Sequence, residues 1–386
     1  MANAPLSAPQ SAPDSASGPA LRFGPVPAAE WDAWVMARPD STPFHLNAWG
    51  EAVEAATGHR FERIGAWQVE GQGEQDGTAN PQAASPDAAE GRLAGIVPAH
   101  FIRSRLFGKA MTSAGFAVGG GILAESQAVA DALADHLWSR PDINASSAEL
   151  RGGMLPSDGW RIDHATYAGF SRDLAADDVA ELLAVPRKQR AEVRKALAAL
   201  EAGDLAVVTG SDEAHAREHY AVYAESVRNL GTPVFPRRLF DEVRRRFGAD
   251  ADILTVCRAD GSPLASVLSL YHRGVVMPYW GGGTWDARAA RANELMYYKL
   301  MGHARARGCT RFDFGRSKTG TGPYAYKKNW GFEPQPLAYA SRSPEGSAAR
   351  DINPMSPKYQ MQVRLWQKLP LWAANRIGPL IARGLG

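Results

Sequence analysis

The second half of the chain alternates between the hydrophobic periods of strands and helices. Residues 205–210 (LAVVTG) have strand character, whereas EAHAREHYAVYAESVRN and FPRRLFDEVRRRFG have helical spacing, the latter ending at Gly248. The segment ADILTVCRADGSPLASVLSLYHRGVVMPYW predicts three strands joined by short glycine turns. A helix (NELMYYKLMGHARARG), a strand (CTRFDFG), a short helix (PYAYKKNWG) and a last strand (PQPLAYA) complete the half. This order predicts an α/β unit in which helices flank a mixed sheet.

The first half repeats a weaker version of the same order. An amphipathic helix in PFHLNAWGEAVEAATG ends at Gly58, and strands are predicted near residues 60–69 and 93–102. KAMTSAGFAVGGG predicts a short strand followed by a glycine loop. SQAVADALADHLWSR then predicts a helix, and AELRGG predicts a further strand. Two similar units in tandem would account for a chain of 386 residues.

Composition divides the chain further. Residues 1–20 are rich in Ala, Pro and Ser and predict a disordered leader, and residues 71–91 predict a flexible insertion between two strands. We therefore expect an N-terminal domain over 21–170, a C-terminal domain over 171–345 and a tail over 346–386.

The overall charge and the cysteine content exclude several classes of protein. The formal net charge of +2 does not indicate a dedicated nucleic-acid binder, and two cysteines cannot form a disulfide framework or a metal site of their own. The first residues have no basic region followed by an apolar core, so we expect no secretory signal and a cytoplasmic location. No histidine spacing typical of a metal site occurs, and the sequence predicts no metal ligands.

A proline and a glycine run mark a candidate donor site. Pro278 cannot donate to a strand ladder, which predicts a bulged or splayed strand, and the following glycines predict a loop whose amides can approach a ligand. Asn293 is a candidate N-cap of the next helix, whose N-terminus would favour a phosphate group. An ordinary turn is the simpler interpretation of such a run. The candidate donor-binding residues are Tyr279, Gly281, Gly282, Gly283, Arg288, Arg291 and Asn293.

The segment FDFGRSKTGTGPYAYKKNWGF carries the candidate catalytic residues. Asp313 alternates with two phenylalanines and so faces the other side of its strand, where it could accept or orient a proton. Tyr324 and Lys327 follow on the next helix and could donate hydrogen bonds to a tetrahedral oxyanion. A capping aspartate and a solvated lysine face are equally compatible with the pattern.

Basic residues on two segments are candidates for acceptor binding. Arg187, Lys188 and Arg190 lie in PRKQRAEVRKAL, where they would form either a solvated helix or a cradle for a phosphorylated acceptor or an RNA backbone. A second group of candidates follows the strand CTRFDFG, at the end of the strand where open α/β sheets bind ligands. This group consists of Arg316, Ser317 and Lys318.

The C-terminal tail is basic and carries tryptophans. Its apolar residues fall near one helical face, although Pro370 and Pro379 interrupt any single helix. A tail of this kind suits either a membrane surface or the surface of the protein itself.

Together these motifs resemble the FemAB family of tandem GNAT-like acyltransferases. The resemblance rests on PYWGGGTWDARAARANELMYYKLMGHARARGCTRFDFGRSKTGTGPYAYKKNWGF and on the basic opening PRKQRAEVRKAL. The tail NPMSPKYQMQVRLWQKLPLWAANRIGPLIARGLG is similar to that of the FemAB-related proteins of exosortase/PEP-CTERM exopolysaccharide systems. The resemblance implies two GNAT-like domains with a cleft between them.

In function, the resemblance implies an N-acyltransferase that forms an amide bond in exopolysaccharide or cell-envelope assembly. It implies no tightly bound cofactor, and the acyl donor, aminoacyl-tRNA or acyl-CoA, would be a co-substrate. An amine-bearing envelope or exopolysaccharide precursor, tRNA and the cytoplasmic face of the inner membrane are the candidate partners. Two alternatives stay open: an acyl-CoA- or acyl-carrier-protein-dependent enzyme that acylates amino acids or sugars, and a catalytically inactive assembly factor at the membrane.

Overall fold

The alternating pattern of the sequence produces a mixed α/β structure. The computed structural model describes residues 20–69, 91–104, 107–140, 147–344 and 357–384. The expected leader and the expected insertion lie almost entirely outside the described residues.

Thirteen strands, β1 to β13 in chain order, form one sheet in the described ranges. The strands are Ala20–Pro25, Arg60–Val69, Arg92–Ser104, Gly108–Thr112, Leu123–Ala124, Ala148–Arg151, Arg161–Asp173, Leu205–Gly210, Ala251–Arg258, Pro263–His272, Val275–Gly283, Arg311–Lys318 and Pro334–Arg342.

Twelve α-helices, α1 to α12, pack around this sheet in the same ranges. The helices are Ala28–Ala37, Asn47–Thr57, Gln127–Ser139, Asp178–Ala184, Arg187–Glu201, Glu213–Asn229, Arg237–Phe247, Ala287–Ala290, Ala292–Ala306, Gly322–Asn329, Pro357–Gln367 and Leu371–Arg383. Among the helices that the structure describes, none combines the length and the apolar character needed to cross a bilayer.

The two halves of the chain exchange strands at the centre of the sheet. The order is β1-β2-β3-β4-β6-β13-β7-β12-β11-β10-β9-β8, with β5 beside β3. Strand β13, near the end of the second half, inserts between β6 and β7, while β7 of the first half pairs with β12 and β13. Each half is therefore completed by a strand of the other, and β7 extends past residue 170, where we expected the boundary between the domains.

This exchange predicts that neither half folds alone. If residues 1–175 and 176–386 are produced separately, we expect insoluble or unfolded material, because β7 in the first fragment has lost both of its neighbours. Circular dichroism and size-exclusion chromatography would measure the result. As a control, a protease site inserted near residue 175 and cut after folding should leave the two fragments associated. Two fragments that are each folded and monomeric would contradict the exchange.

An apolar core also joins the halves. Phe44 and Trp49 from the first half are buried against Phe240 and Trp280 of the second, in a cluster that includes α2, α6 and α7. Rings within about 6 Å of one another contribute packing energy beyond the area that they bury. The halves therefore form one structural body rather than two loosely linked units.

The predicted distortion at Pro278 is confirmed. Ser269 of β10 pairs with Pro278, whereas Leu268 pairs with Trp280, so that Tyr279 is an extra residue in β11. The missing N–H of the proline explains why the ladder shifts there. Within the described strands, β11 pairs in parallel with β12 at Val275 and Val276, and the pairing ends there.

Several predicted elements match the structure, and others were missed. The helix that ends at Gly58, the helix Glu213–Asn229 and the three-strand meander are confirmed. Strands β1 and β7 and helices α1 and α4 were not predicted. The sequence of β7, RIDHATYAGFSRD, is polar and contains a glycine, so it lacks the apolar run expected of a strand at the centre of a sheet.

Candidate active site

The candidate catalytic aspartate lies where β11 and β12 separate. Asp313 pairs with Ser171 of β7, and a bulge follows because Gly315 adopts a left-handed conformation with φ of 69°. The Asp313 carboxylate accepts a hydrogen bond from the Gly315 N–H at 2.8 Å and is half-buried. Burial raises the pKa of Asp313, although the Gly315 bond and the charge of Lys327 oppose this shift. The bulge thus fixes a carboxylate with weakened acidity at the opened sheet.

Lys327 on α10 reaches the same region from the next helix. Its Nζ donates to the Arg316 carbonyl at 2.9 Å, and the ammonium lies 5.4 Å from the ring centres of Phe170 and Phe314. The side chain is buried, and burial lowers the pKa of Lys327 to about 7, with attraction to Asp313 acting in the opposite direction. A lysine in this state can exchange a proton near neutral pH.

Arg316 leaves β12 on the side that contacts the first half. Its guanidinium donates to the Tyr339 hydroxyl at 2.6 Å and lies 4.5 Å from the centre of the Tyr167 ring. The Tyr339 hydroxyl in turn donates to the Val118 carbonyl at 2.7 Å. Arg316 is therefore held by residues of β7, of β13 and of the loop after β4, at the junction that strand exchange creates.

Neither Lys327 nor Arg316 forms an ion pair with a carboxylate among the described residues. Most buried cations are paired, because removing a charge from water is costly unless a partner compensates for it. The buried Lys327 and the half-buried Arg316 both lie beside the bulge of β12. Two cations at this position can stabilise negative charge on a substrate or on a developing oxyanion.

The remaining predicted residues of this segment have different surroundings. The half-buried Tyr324 ring packs edge-on against Phe170 with 5.2 Å between ring centres. The Ser317 hydroxyl is buried and finds no hydrogen-bond partner within the described part of the chain, while Lys318 pairs with Tyr167 along the strand. Asp313 and Lys327 thus interact electrostatically, whereas no hydrogen bond within the described ranges joins the Tyr324 hydroxyl to either of them.

The other face of the gap between β11 and β12 is filled by aromatic side chains. Tyr297 of α9 packs against Phe314 with 4.6 Å between ring centres, and Tyr326 and Trp330 of α10 lie 6.1 and 6.3 Å from Tyr297. Phe312 and Phe314, which flank Asp313 in β12, are both buried in that core.

The expected glycine loop is wrong. Gly281, Gly282 and Gly283 continue β11 and pair with β10. A Cβ atom on Gly282 would overlap the Ser226 side chain of α6, and one on Gly283 would lie 2.6 Å from the Cβ of Ala287. Close packing of helices on the strand therefore requires Gly282 and Gly283, and the contact of all three glycines with a donor stays a prediction.

The expected N-cap is also wrong. Helix α9 begins at Ala292, one residue before Asn293, and its N-cap is Arg291 in a left-handed conformation with φ of 57° and no side-chain cap. Asn293 instead lies beside Gly283, where its side-chain amide would lie about 3 Å from a Cβ atom at that position. Gly308 is confirmed just beyond the end of the helix, with φ of 80°.

The predicted basic residues outside this segment are dispersed. Arg291 forms an ion pair with Glu192 of α5 at 2.6 Å, and Arg288 is exposed. Arg190 donates to the carbonyls of Val185 and Leu183, so it stabilises the connection between α4 and α5.

The acceptor set is therefore divided. Arg187 and Lys188 are exposed at the start of α5. In the ranges that the structure covers, no hydrogen bond or ring contact joins these α5 residues to the group around Arg316.

Sequence reasoning missed the residues that hold Arg316 in place. Tyr167 lies in strand β7, which was not predicted. Tyr339 lies in the last predicted strand of the second half, to which the sequence analysis assigned no part in the site. Tyr279 donates to the Phe116 carbonyl at 2.5 Å, and Arg151 donates to the carbonyls of Ala114 and Ala117 at 3.1 Å. Side chains from β6, β11 and β13 thus hold the glycine loop of the first half in place. Of these side chains, only Tyr339 could have been predicted, from the alternation of residues in β13.

This arrangement is similar to that of several known proteins. Residues 187–328 match the model of the acetyltransferase (GNAT) domain family. The solved structure of FemX has 14% identity and a TM-score of 0.60, covering 83% of this chain and 96% of that chain. A tandem GNAT protein from the clavulanic acid biosynthesis pathway has 12% identity and a TM-score of 0.51, and the match covers 85% of this chain and 100% of that chain.

A conserved protein of unknown function from Bacteroides thetaiotaomicron has 12% identity and a TM-score of 0.50, covering 83% of this chain and 99% of its own. No curated protein sequence matches the chain. Residues 187–328 therefore match a GNAT domain, and the described part of the chain has the tandem GNAT fold of FemX and of the clavulanic acid pathway protein, as the sequence predicts.

Proposed function

We propose that this protein transfers an acyl or aminoacyl group to an amine on a precursor of exopolysaccharide or cell-envelope assembly. The observation that carries this proposal is the buried Lys327 and the half-buried Arg316, two cations without a carboxylate within ion-pair distance among the described residues, with Lys327 electrostatically linked to the half-buried Asp313. Amide-bond formation needs a proton acceptor for the amine and donors for the oxyanion, and this group supplies both kinds.

In the proposed reaction, the amine attacks the donor carbonyl near the bulge of β12. Asp313 accepts the proton that the amine loses, because burial makes its carboxylate a stronger base than an exposed aspartate. The Lys327 ammonium stabilises the oxyanion of the tetrahedral intermediate. Tyr324 returns a proton to the leaving group, which requires its ring to move from its packing against Phe170.

The two substrates would approach from different elements. The donor lies along β11 past Tyr279, with its anionic part near Arg288 and Arg291. The aromatic packing of α9 and α10 fills one face of the gap, which supports an approach of the donor from the face that contacts the first half.

The acceptor lies near Arg316, Ser317 and Lys318. Ser317 has a buried hydroxyl that has no partner in the described ranges, and a substrate atom could supply one. The exposed Arg187 and Lys188 would contact a more distant phosphate of a large acceptor, whereas Arg190 contributes by holding α5 in place.

Mass spectrometry of small molecules and glycans from a strain lacking the gene tests the proposal. We expect the loss of one amide-linked product, restored by the wild-type gene but not by Asp313→Asn, because an amide cannot accept the proton. Loss of a general base usually reduces the rate by about 10²–10⁴-fold. Asp250→Asn, a substitution of an exposed aspartate far along the chain, should restore the product fully.

The outcome also separates the alternatives. If the double variant Asp313→Asn/Tyr324→Phe restores the wild-type phenotype, the protein acts as an assembly factor and the enzymatic proposal is wrong. A thermal shift of the purified protein with CoA, compared with deacylated tRNA, then distinguishes an acyl-CoA donor from an aminoacyl-tRNA donor.

A further inference from the structure

The C-terminal tail is fixed to the body of the protein through one narrow face. Ala373, Ala374 and Ala382 of α12 are buried, and a Cβ atom on Gly378 would lie 2.9 Å from the backbone and side chain of Val234. The His59 ring also contacts the Arg383 carbonyl at 2.6 Å. Small residues allow close packing of this helix, so α12 is a surface element packed on the body of the protein.

Helices α11 and α12 expose several large apolar side chains. Trp372 is 73% exposed and Leu380 is 71% exposed, values that are unusual for large apolar side chains on a packed helix. The others are Met361, Leu365 and Ile377. Several large apolar side chains exposed on two successive helices are typical of an interaction surface.

The charged side chains described between residues 361 and 384 are all basic. Arg364, Lys368, Arg376 and Arg383 are exposed, and residues 352–386 contain no aspartate or glutamate. An apolar protein partner would not require this charge pattern, whereas the headgroup region of an anionic bilayer requires cations around inserted apolar groups.

A second tryptophan on the body extends the surface. Trp285 is 79% exposed and lines a shallow pocket with Arg228, Asn229 and Gln367, the last residue of α11. Its backbone N–H donates to the Glu225 carboxylate at 2.7 Å, which holds the loop after β11 against α6. Tryptophan is suited to the interface between water and lipid because its ring is apolar and its N–H is polar.

We propose that the outer face of α11 and α12, together with Trp285, docks on an anionic lipid bilayer. The apolar side chains enter the interfacial region while the arginines and Lys368 contact lipid phosphates. This docking goes beyond the transfer reaction and does not depend on it.

Docking would also orient the candidate active site. The end of α6 contacts the tail, because Arg228 donates to the Gln367 carbonyl at 3.2 Å. Ser226, within the same helical turn, packs on Gly282 at the end of β11. The bilayer would therefore lie beside the end of β11 at which the donor is proposed to bind.

Co-sedimentation of the full-length protein with lipid vesicles tests this inference. We expect binding to vesicles of phosphatidylcholine with about one-third phosphatidylglycerol, but not to pure phosphatidylcholine, and weaker binding at high salt. The variant Trp372→Ser/Leu380→Ser should weaken binding by about tenfold or more, because it removes two large inserted side chains. Arg364→Gln/Lys368→Gln/Arg376→Gln should remove the preference for anionic lipid.

The control substitutes an exposed apolar pair elsewhere. Val179 and Leu183 of α4 are 71% and 56% exposed, and Val179→Ser/Leu183→Ser should bind vesicles like the wild type. Absence of binding to the anionic vesicles, or equal losses in the control and in the tail variant, would overturn the proposal. So would tail-dependent binding of tRNA without binding of vesicles.

Discussion

Lys327→Met should slow acyl transfer strongly and at the same time make the protein more stable. Removal of an oxyanion donor typically lowers the rate by about 10²–10³-fold. The same lysine is costly to bury, because a fall in pKa from 10.5 to about 7 measures how strongly the fold disfavours its charge. After allowing about 1 kcal/mol for the lost bond to the Arg316 carbonyl, we expect a net gain of about 1–3 kcal/mol. Thermal unfolding and a transfer assay would measure the two effects.

The neighbouring lysine supplies the control. Lys328 is exposed, and Lys328→Met should change neither the unfolding temperature nor the transfer rate by much. A Lys327→Met protein that is less stable than the wild type would show that Lys327 is a structural residue. A variant that keeps full activity would remove its proposed role.

The pH dependence of these effects has opposite directions for activity and stability. The pKa of Lys327 is lower in the folded protein than in the unfolded chain, so the unfolded chain binds more protons between about pH 7 and pH 10.5. The free energy of unfolding of the wild type therefore increases as the pH rises through that range. The stability advantage of Lys327→Met should therefore shrink toward pH 10. Transfer by the wild type should instead decline above about pH 7, as the ammonium loses its proton.

Gly121→Ala should cause the largest loss of stability among single substitutions of glycine. A Cβ atom at this position would overlap the carbonyl oxygen of Gly152, and backbone atoms cannot move aside as a flexible side chain can. The loop also accepts a hydrogen bond from the His45 ring at 3.2 Å and is bridged to Gly153 through Ile122. We expect a loss of about 3–5 kcal/mol in the free energy of unfolding, measured by urea denaturation.

A glycine of the same loop is the matched control. A Cβ atom on Gly119 would have its nearest neighbour, a ring carbon of Phe44, at 3.7 Å, an ordinary contact distance. Gly119→Ala should therefore stay within about 1 kcal/mol of the wild type. Equal stability of the two variants would mean that the contact between Gly121 and Gly152 can relax.

The sequence predicted the elements whose apolar period is regular. Helix α6 and the meander β9 to β11 were predicted because their core residues recur at helical or strand spacing, and Pro278 indicated the bulge through its missing N–H. The glycine run was wrongly predicted to be a loop. Glycines are needed both where side chains such as Ser226 and Ala287 pack closely on a strand and where a loop approaches a ligand, so the sequence alone does not distinguish the two.

The candidate site was only partly predictable, and for a related reason. Asp313 and Lys327 lie 14 positions apart in one segment, so their proximity followed from a strand that leads into a helix. Arg316 depends on Tyr167 and Tyr339, which lie more than a hundred positions apart in the chain and meet only because β7 and β13 are exchanged. Nothing local in the sequence encodes that pairing.

The exchange of β7 and β13 also determines when the protein can mature during its synthesis. Strand β7 is translated roughly midway along the chain, yet its partners β12 and β13 leave the ribosome about 140–170 residues later. An unpaired central strand stays exposed throughout that interval, and such nascent edges are where chains associate wrongly. We therefore expect the yield of native protein in the cell to depend on chaperones that bind the nascent chain, more strongly than for a protein whose sheet closes in sequence order.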